Sequence, residues 1–364
     1  MEKKHWSILG MGLVAALWLA LSVITWCRPP QEYSAAERRP LEQFPQLREE
    51  TVLSGEFMSD FESYTLDQFP MRDLFRGIKA RVQYSVMGRL DNNGVYRVEE
   101  QWSKLDYPLD REALAHALKI FEGLRQKELA DSKIFTAVIP DKNYFLAQRL
   151  GYPVMDYDAL VETVREGMPY ASYVNLFGTL EAGDYYTTDT HWRQERLGDT
   201  AARLCAALGI PEPEHTEAVD SGVPFYGVYY GQAAVSPPPD TLYTLKSPVI
   251  DACRVYNYEN GKWGGIYDWE KLSGEDGYEV FLSGPVSLLR IENPLAETDR
   301  ELILFRDSFG SSLAPLLVQG YKTVTLVDIR YLSSGMLGRF LDFHGQDVLF
   351  CYSTLVLNNG KSLH

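Results

Sequence analysis

Runs of apolar residues in the last third of the chain predict buried strands around a short helix. Apolar and β-branched residues fill positions 302–305 and 323–327, and a helix-like apolar pattern that begins after Ser308 separates them. A strand, a sharp turn, a helix and a second strand are typical of a parallel βαβ unit. Such a unit places its first turn at the carboxyl edge of the sheet, where open α/β folds bind ligands. The pattern therefore predicts that the Ser308 hydroxyl faces solvent on a strand-to-helix turn.

Helical and strand patterns also alternate through the preceding part of the chain. Two helices are predicted within 57–90, interrupted at Phe69-Pro70. Further strands are predicted at 133–139, 172–177 and 347–352, and further helices at 110–130, 157–166, 194–208 and 331–343. These elements predict a single α/β domain over residues 51–364, built on a mainly parallel sheet.

Residues 211–300 differ in composition from the rest of the chain. Tyr, Trp, Gly and Pro are abundant there, short strand-like runs occur, and helical periodicity is absent. We interpret this segment as a β-rich insertion, at about 211–300, that caps the site. Exposed aromatic rings in it could stack on sugars, and a small aromatic β core is the alternative interpretation.

The start of the chain has the pattern of a membrane-spanning segment. The 21 residues at 6–26 are uncharged and follow Lys3 and Lys4. At about 1.5 Å per residue this length is enough to cross the hydrocarbon core of a bilayer. The lysines predict a cytoplasmic N-terminus, so residues 1–27 would be an uncleaved signal anchor with the ectodomain outside the cytoplasm. A cleaved signal peptide is the alternative, because three small alanines lie in the apolar run. Residues 28–50, rich in proline and charge, are predicted to form a stalk.

Composition narrows the possible functions. The chain contains 35 Lys and Arg and 50 Asp and Glu, which gives a net charge of −15. This charge argues against a nucleic-acid-binding protein, which would carry a basic surface. Of the four cysteines, Cys27 lies at the membrane boundary. The other three have no metal-like spacing, so neither a metal site nor a disulfide framework is indicated, while one bridge among Cys205, Cys253 and Cys351 stays open.

A base for Ser308 is predicted more than a hundred residues upstream. In an extended segment, side chains two apart point the same way, so Asp189 can accept the Nδ1–H of His191. This leaves Nε2 free to take a proton from a serine hydroxyl. The alternatives are that Ser308 only caps its helix and that the His191 ring is satisfied structurally by the neighbouring carboxylate.

Two basic residues follow predicted strands. Lys142 lies in the polar cluster after strand 133–139, and Arg330 lies just beyond strand 323–327. Both positions favour contact with substrate oxygens. The alternatives are a solvated lysine and an arginine paired with a local carboxylate.

The segments that carry these residues resemble one known family. The similar stretches are Asp189-Thr190-His191-Trp192, Asp307-Ser308-Phe309 and Val327-Asp328-Ile329-Arg330-Tyr331, with shorter ones such as Pro140-Asp141-Lys142 and Asp67-Gln68-Phe69-Pro70. In this order they resemble the DHHW family of bacterial cell-envelope proteins, which is related to the SGNH-type alginate O-acetylation proteins AlgJ and AlgX.

The resemblance implies a fold and a set of roles. The fold would be an SGNH-hydrolase-like three-layer α/β sandwich with no cofactor. Ser308 would be the nucleophile, His191 the base and Asp189 its orienting carboxylate, with the backbone N–H groups of Ser308 and Phe309 as oxyanion donors. Lys142, Arg330, Trp192 and Tyr331 would be substrate-binding residues.

The sequence departs from the family pattern at two places. Thr190 occupies the second position of the motif, which is a His in the family name, and Arg97-Val98-Glu99-Glu100 replaces an expected glycine-rich segment. Neighbouring side chains in an extended segment point to opposite sides, so the first change leaves Asp189 and His191 unaffected.

The function that the resemblance implies is acyl, chiefly acetyl, transfer to hydroxyls of a cell-envelope polysaccharide outside the cytoplasm. A membrane-bound O-acyltransferase would be the partner that supplies the acyl group. The alternatives are a carbohydrate esterase with the same three residues and a non-catalytic envelope or sporulation protein that keeps the fold for binding.

Overall fold

The computed structural model describes residues 2–235 and 237–364, with side chains from residue 10 onward. The described residues form two compact units, one made of 2–93 with 230–235 and the other of 94–229 with 237–364. The predicted limits of anchor, stalk and catalytic domain stay predictions.

The first unit begins with a long apolar helix. Its elements are α1 (Glu2–Cys27), β1 (Tyr33–Ser34), β2 (Arg39–Pro40), α2 (Glu49–Ser54), α3 (Glu56–Asp67), α4 (Arg72–Arg81), a π-helical turn (Val82–Val86) and β3 (Asp91–Asn92). Within α1 the stretch Gly10–Cys27 has the length and composition needed to cross a membrane. Helices α3 and α4 are separated at Phe69-Pro70, as the sequence predicts.

The second unit contains the main sheet. Its first half holds β4 (Val95–Val98), β5 (Gln101–Lys104), α5 (Arg111–Lys127), β6 (Lys133–Ile139), α6 (Lys142–Leu146), α7 (Tyr157–Gly167), β7 (Ser172–Asn175) and α8 (Gly198–Leu208). There follow β8 (Glu217–Phe225), α9 (Val228–Gln232, which begins in this unit), β9 (Asp240–Lys246), α10 (Pro248–Ala252), β10 (Arg254–Asn257), β11 (Lys262–Gly264) and β12 (Leu288–Glu292). The last elements are β13 (Glu301–Arg306), α11 (Phe309–Leu313), β14 (Thr323–Val327), β15 (Asp347–Ser353) and α12 (Thr354–Leu357).

Eight strands form one sheet in the order β11-β10-β12-β14-β13-β15-β6-β7. The five strands from β14 to β7 are parallel, and β12, β10 and β11 continue the sheet in antiparallel fashion. Strands β8 and β9 form a separate antiparallel pair. The predicted mainly parallel α/β sheet is confirmed.

Each face of the sheet has its own hydrophobic core. Alternate residues of β6 belong to different cores: Phe135, Ala137 and Ile139 lie in one, Ile134 and Val138 in the other. The first core includes apolar residues of α8, α10 and α11, and the second those of α5, α7 and α12. Because strand side chains alternate between faces, this division makes a three-layer sandwich.

Helix α5 shows how the sequence selects these elements. Leu114, Leu118, Phe121 and Leu124 recur every three or four residues and are all buried against the sheet. The Asp110 carboxylate accepts hydrogen bonds from the first-turn amides at 3.0 and 2.9 Å, so the helix begins where the sequence places a cap.

Three predicted elements differ from the structure. The helix at 331–343 is reduced to a 3₁₀ segment, Ser334–Arg339, and α8 begins at Gly198 after a separate 3₁₀ turn, Gln194–Arg196. In the β-rich region, β10, β11 and β12 join the main sheet rather than forming a module of their own. Strand pairing depends on partners distant in sequence, which a local pattern does not reveal.

Candidate active site

Ser308 lies on the turn between β13 and α11, at the carboxyl edge of the parallel strands. The preceding residue, Asp307, is buried and fixes this turn. One oxygen of its carboxylate accepts the Phe309 amide at 3.0 Å, and the other accepts the amide of Ser353, at the end of the neighbouring strand β15, at 2.8 Å. The Ser308 side chain therefore projects from a rigid turn.

The structure brings Asp189, His191 and Ser308 together. Nε2 of His191 lies 2.8 Å from Oγ of Ser308, and Nδ1 lies 2.5 Å from Oδ1 of Asp189. The same Oδ1 accepts the backbone amide of His191 at 3.0 Å, and Oδ2 accepts the Val228 amide at 2.8 Å. The arrangement matches that of a hydroxyl, a base and an orienting carboxylate. The catalytic roles stay predictions.

Aromatic rings hold the imidazole in place. The ring of Tyr278 stacks on that of His191, with centroids 3.9 Å apart and planes within 10°. The Tyr278 hydroxyl and the Trp192 indole N–H both contact the hydroxyl of Ser312, each at 2.8 Å. His191 is buried apart from its edge and Ser308 is half-buried, so access to the pair is on the serine side.

A buried lysine holds the carbonyl groups of the loop that carries Asp189 and His191. Lys142 is 2% exposed, and its Nζ donates to the carbonyl oxygens of Tyr186, Thr187 and Asp189 at 2.8, 3.1 and 3.1 Å. It also lies 5.5 Å from the centroid of the Tyr229 ring. Its three donors are thus directed at one loop.

A carboxylate holds the amide groups of the same loop. Asp240, at the start of β9, accepts the backbone N–H of Thr187 at 2.8 Å and that of Thr188 at 3.2 Å. The Thr188 hydroxyl in turn accepts the amide of Gly227 at 2.9 Å. A Cβ at position 227 would lie 2.3 Å from the Thr188 carbonyl oxygen, so only glycine fits this approach.

Burial changes the pKa of Lys142, the lysine that contacts this loop. Loss of water lowers the pKa of Lys142 to about 7, while the negative charges of Asp189 and Asp240 act in the opposite direction. The three carbonyl acceptors also favour the ammonium form.

Four groups that were expected to contact the substrate have partners within the protein. Trp192 is fully buried, and Lys142 uses its donors on backbone carbonyls, so both position the site instead of facing a substrate. Arg330 donates to both oxygens of Asp328, at 2.9 and 2.6 Å, which is the pairing with a local carboxylate that was the alternative interpretation. The Phe309 amide already donates to Asp307, which leaves Ser308 as the predicted oxyanion donor.

Tyr331 is exposed, and its role stays a prediction. Helix α11 has only five residues and continues as a 3₁₀ turn, so its dipole at Ser308 is small. Among the described residues no group of three His, Cys, Asp or Glu side chains could hold a metal ion. Cys205, Cys253 and Cys351 are buried, unpaired thiols.

Tyr278 and Asp240 are site residues that the sequence does not reveal. Both lie in the aromatic-rich region, far along the chain from the segments they contact. Asp307 could have been found, because it precedes Ser308 in the Asp-Ser-Phe motif and an aspartate there can accept the amide two residues on.

The fold and the site define a class of protein, an α/β sandwich with a Ser-His-Asp arrangement at the carboxyl edge of its sheet. A family model described as DHHW protein matches residues 178–327, a range that contains all three residues. The resemblance to the DHHW family is therefore confirmed.

Individual relatives are distant. The chain is similar to the probable alginate O-acetylase AlgJ of Pseudomonas syringae pv. tomato, with 24% identity over 235 residues. That match covers 58% of this chain and 59% of AlgJ, less than two thirds of the relative's length.

Two solved structures share the fold. One is a DHHW family protein from Eubacterium siraeum, with a TM-score of 0.61, 19% identity and coverage of 75% of this chain and 94% of that one. The other is Bacillus cereus PatB1 with a sulfonyl adduct, with a TM-score of 0.57, 15% identity and coverage of 72% and 95%.

Removal of the Lys142 ammonium should slow the reaction of Ser308. In Lys142→Met the loop carrying Asp189 and His191 loses three hydrogen bonds and shifts away from the serine. We expect labelling of Ser308 by a fluorophosphonate probe to slow about 10- to 100-fold, as small misplacements of reacting groups do. Lys119→Met, on the exposed side of α5, is the matched control and should label like the parent. Equal labelling rates in both variants would contradict a positioning role.

Lys142 should also make stability depend on pH. Because its folded pKa of about 7 lies below the usual 10.5, the folded protein binds fewer protons than the unfolded chain between these values. The free energy of unfolding of the parent, measured against Lys142→Met, should therefore rise as pH increases from about 7 to about 10.5. Urea unfolding over this range measures the difference, and a constant difference would show that the pKa is not lowered.

Proposed function

We propose that this protein is an extracytoplasmic, membrane-anchored enzyme that transfers acyl groups, chiefly acetyl, to hydroxyls of a cell-envelope polysaccharide. The observation that carries the proposal is the 2.8 Å contact between His191 Nε2 and Ser308 Oγ, with the buried Asp189 on the other ring nitrogen. A hydroxyl is a weak nucleophile unless a neighbouring base takes its proton, and this geometry provides that base.

The first half of the reaction forms an acyl-enzyme. Oγ of Ser308 attacks the carbonyl carbon of the acyl donor while Nε2 of His191 takes the hydroxyl proton. The backbone N–H of Ser308 is the proposed donor to the oxyanion. The tetrahedral intermediate collapses, the leaving group takes the proton from His191, and the acyl group remains on Ser308 as an ester.

The second half transfers the acyl group. Nε2 of His191 takes the proton of an acceptor hydroxyl, whose oxygen attacks the acyl-Ser308 carbonyl. When the new ester forms, the Ser308 oxygen leaves and recovers the proton from His191. Asp189 keeps the imidazole in the required tautomer and stabilises its charge in both halves. If water takes the place of the sugar, the same residues perform ester hydrolysis.

The comparisons support the acyl group and the location in part. AlgJ is described as a probable alginate O-acetylase, which favours acetyl as the group and a polysaccharide hydroxyl as the acceptor. The apolar stretch Gly10–Cys27 supports the anchor. A membrane-bound O-acyltransferase as the donor-side partner is part of this proposal, because an acyl group used outside the cytoplasm must be supplied across the membrane.

Substitution of the three residues should abolish acyl-enzyme formation. We expect Ser308→Ala and His191→Ala each to lower turnover of a chromogenic acetyl ester about 10⁴-fold or more, since such residues act as a unit. Asp189→Asn should also cost orders of magnitude, because it favours the wrong tautomer of His191. Ser172→Ala, at the amino end of β7, and His344→Ala, just before β15, are exposed matched controls on the opposite edge of the sheet from Ser308. Parental activity in all three site variants would contradict catalysis and favour a binding protein.

The acceptor decides between transfer and hydrolysis. The full chain in detergent would be given an acetyl donor and a series of oligosaccharides, and the products followed by mass spectrometry. We expect the mass of a sugar to increase by one acetyl group in the parent and not in Ser308→Ala. Acetyl release without an acylated sugar, over several classes of glycan, would instead identify an esterase.

A further inference from the structure

Helix α4 presents its apolar side outward. The apolar residues of α4 and the π-helical turn after it recur every three or four positions and are between 40% and 77% exposed: Leu74, Phe75, Ile78, Val82 and Val86. A surface helix of a soluble protein normally buries such a stripe. We call these five residues the outer stripe.

The opposite side of α4 is polar or small and faces its own unit. Arg76 donates to the carbonyl oxygens of Gly231 and Gln232 at 2.8 and 3.2 Å and pairs with Glu37 at 2.9 Å. Arg72 pairs with Glu37 and with Asp67. These ion pairs fix the rotation of the helix, so the outer stripe cannot turn inward without breaking them.

The outer stripe is continuous with α1. Phe75 packs on Phe69 with centroids 5.5 Å apart, and Phe69 packs on Trp18 of α1 at 6.0 Å. Trp18 lies inside the apolar stretch Gly10–Cys27, nine residues (27 − 18) before its end. At 1.5 Å per residue this is about 13 Å along the helix, within one leaflet of a hydrocarbon core about 30 Å thick. One side of the outer stripe therefore lies at the same depth as the apolar part of α1, which lipid surrounds when α1 spans a membrane.

Charge also favours a membrane surface. Residues 72–90 contain five Lys and Arg against one Asp, a net charge of +4 in a chain of net −15. An amphipathic helix with basic residues and an apolar side is the type that lies in the interface of anionic membranes.

We propose that α4 and residues 82–86 lie in the outer leaflet, with the outer stripe among the acyl chains and Lys79, Arg81 and Arg89 near lipid phosphates. The first unit then contacts the membrane at two places, the spanning helix and this surface helix. Two contacts restrict how the unit tilts on the bilayer, which a single helix followed by a flexible stalk would not do. This inference rests on the anchor in the proposed function and is independent of the acyl chemistry.

The test measures the depth of single labels in the full chain. In a Cys27→Ser background the remaining cysteines are buried, so an introduced cysteine can be labelled selectively with an environment-sensitive fluorophore. Ile78→Cys and Val82→Cys report on the outer stripe. Val14→Cys on α1 is the control for lipid, and the exposed Glu62→Cys on α3 is the control for water. The labelled proteins are placed in vesicles of phosphatidylethanolamine and phosphatidylglycerol.

We expect nitroxides on the lipid acyl chains to quench the labels at positions 14, 78 and 82, and iodide in the buffer to quench the label at position 62. Iodide quenching at 78 and 82 with lipid quenching at 14 would overturn the inference and leave the anchor standing. Iodide quenching at position 14 as well would overturn both. Protection at 78 and 82 from both quenchers, lost when the protein is diluted in lipid, would show that a second copy covers the outer stripe instead.

Discussion

The site depends on the way one loop is held from both sides. His191 comes from a loop without strand partners in the main sheet, so its backbone groups need other hydrogen bonds to remain in one place. Lys142 supplies donors to three carbonyl oxygens and Asp240 accepts two amides of this loop. The imidazole is positioned over Ser308 because both sides of the loop backbone are satisfied.

The parallel sheet fixes the distance between this loop and the serine. Lys142 follows β6 and Ser308 follows β13, and β15 lies between these two strands and pairs with both in parallel. Asp307 adds a direct link, because it accepts the amide of Ser353 at the end of β15. Ser308 and Lys142, which holds the loop that carries His191, therefore lie at the same edge of the sheet, although 166 residues (308 − 142) separate them along the chain.

Local pattern predicts the parts of the fold and site that local interactions decide. Strands β6 and β14 have the predicted bounds, and the predicted contact between Asp189 and the His191 ring is present, although residues 187–191 form a turn and not an extended segment. Tyr278 could not be predicted, because its stacking on His191 depends on a tertiary contact. Lys142 and Trp192 are correctly placed near the site but differ in role, since a sequence shows that a residue is polar or aromatic and not that it is buried. For the same reason the sequence does not show that the apolar side of α4 faces outward, because periodicity predicts an apolar stripe but not what covers it.

The same burial that positions the loop makes it sensitive to the loss of any one partner. Lys142 and Asp189 are both withdrawn from water, and Asp189 is one of the charges that favour the lysine's ammonium. A buried charge that loses its partners costs several kcal/mol or changes its protonation. Removing Lys142 therefore takes a hydrogen-bond donor from three carbonyl groups, of which that of Thr187 still accepts the Trp102 amide. It also weakens the charge balance around Asp189, the carboxylate that contacts the His191 ring. A substitution of Lys142 therefore changes both the stability of the loop and the position of His191. A loss of activity in such a variant is informative only when its stability is measured as well.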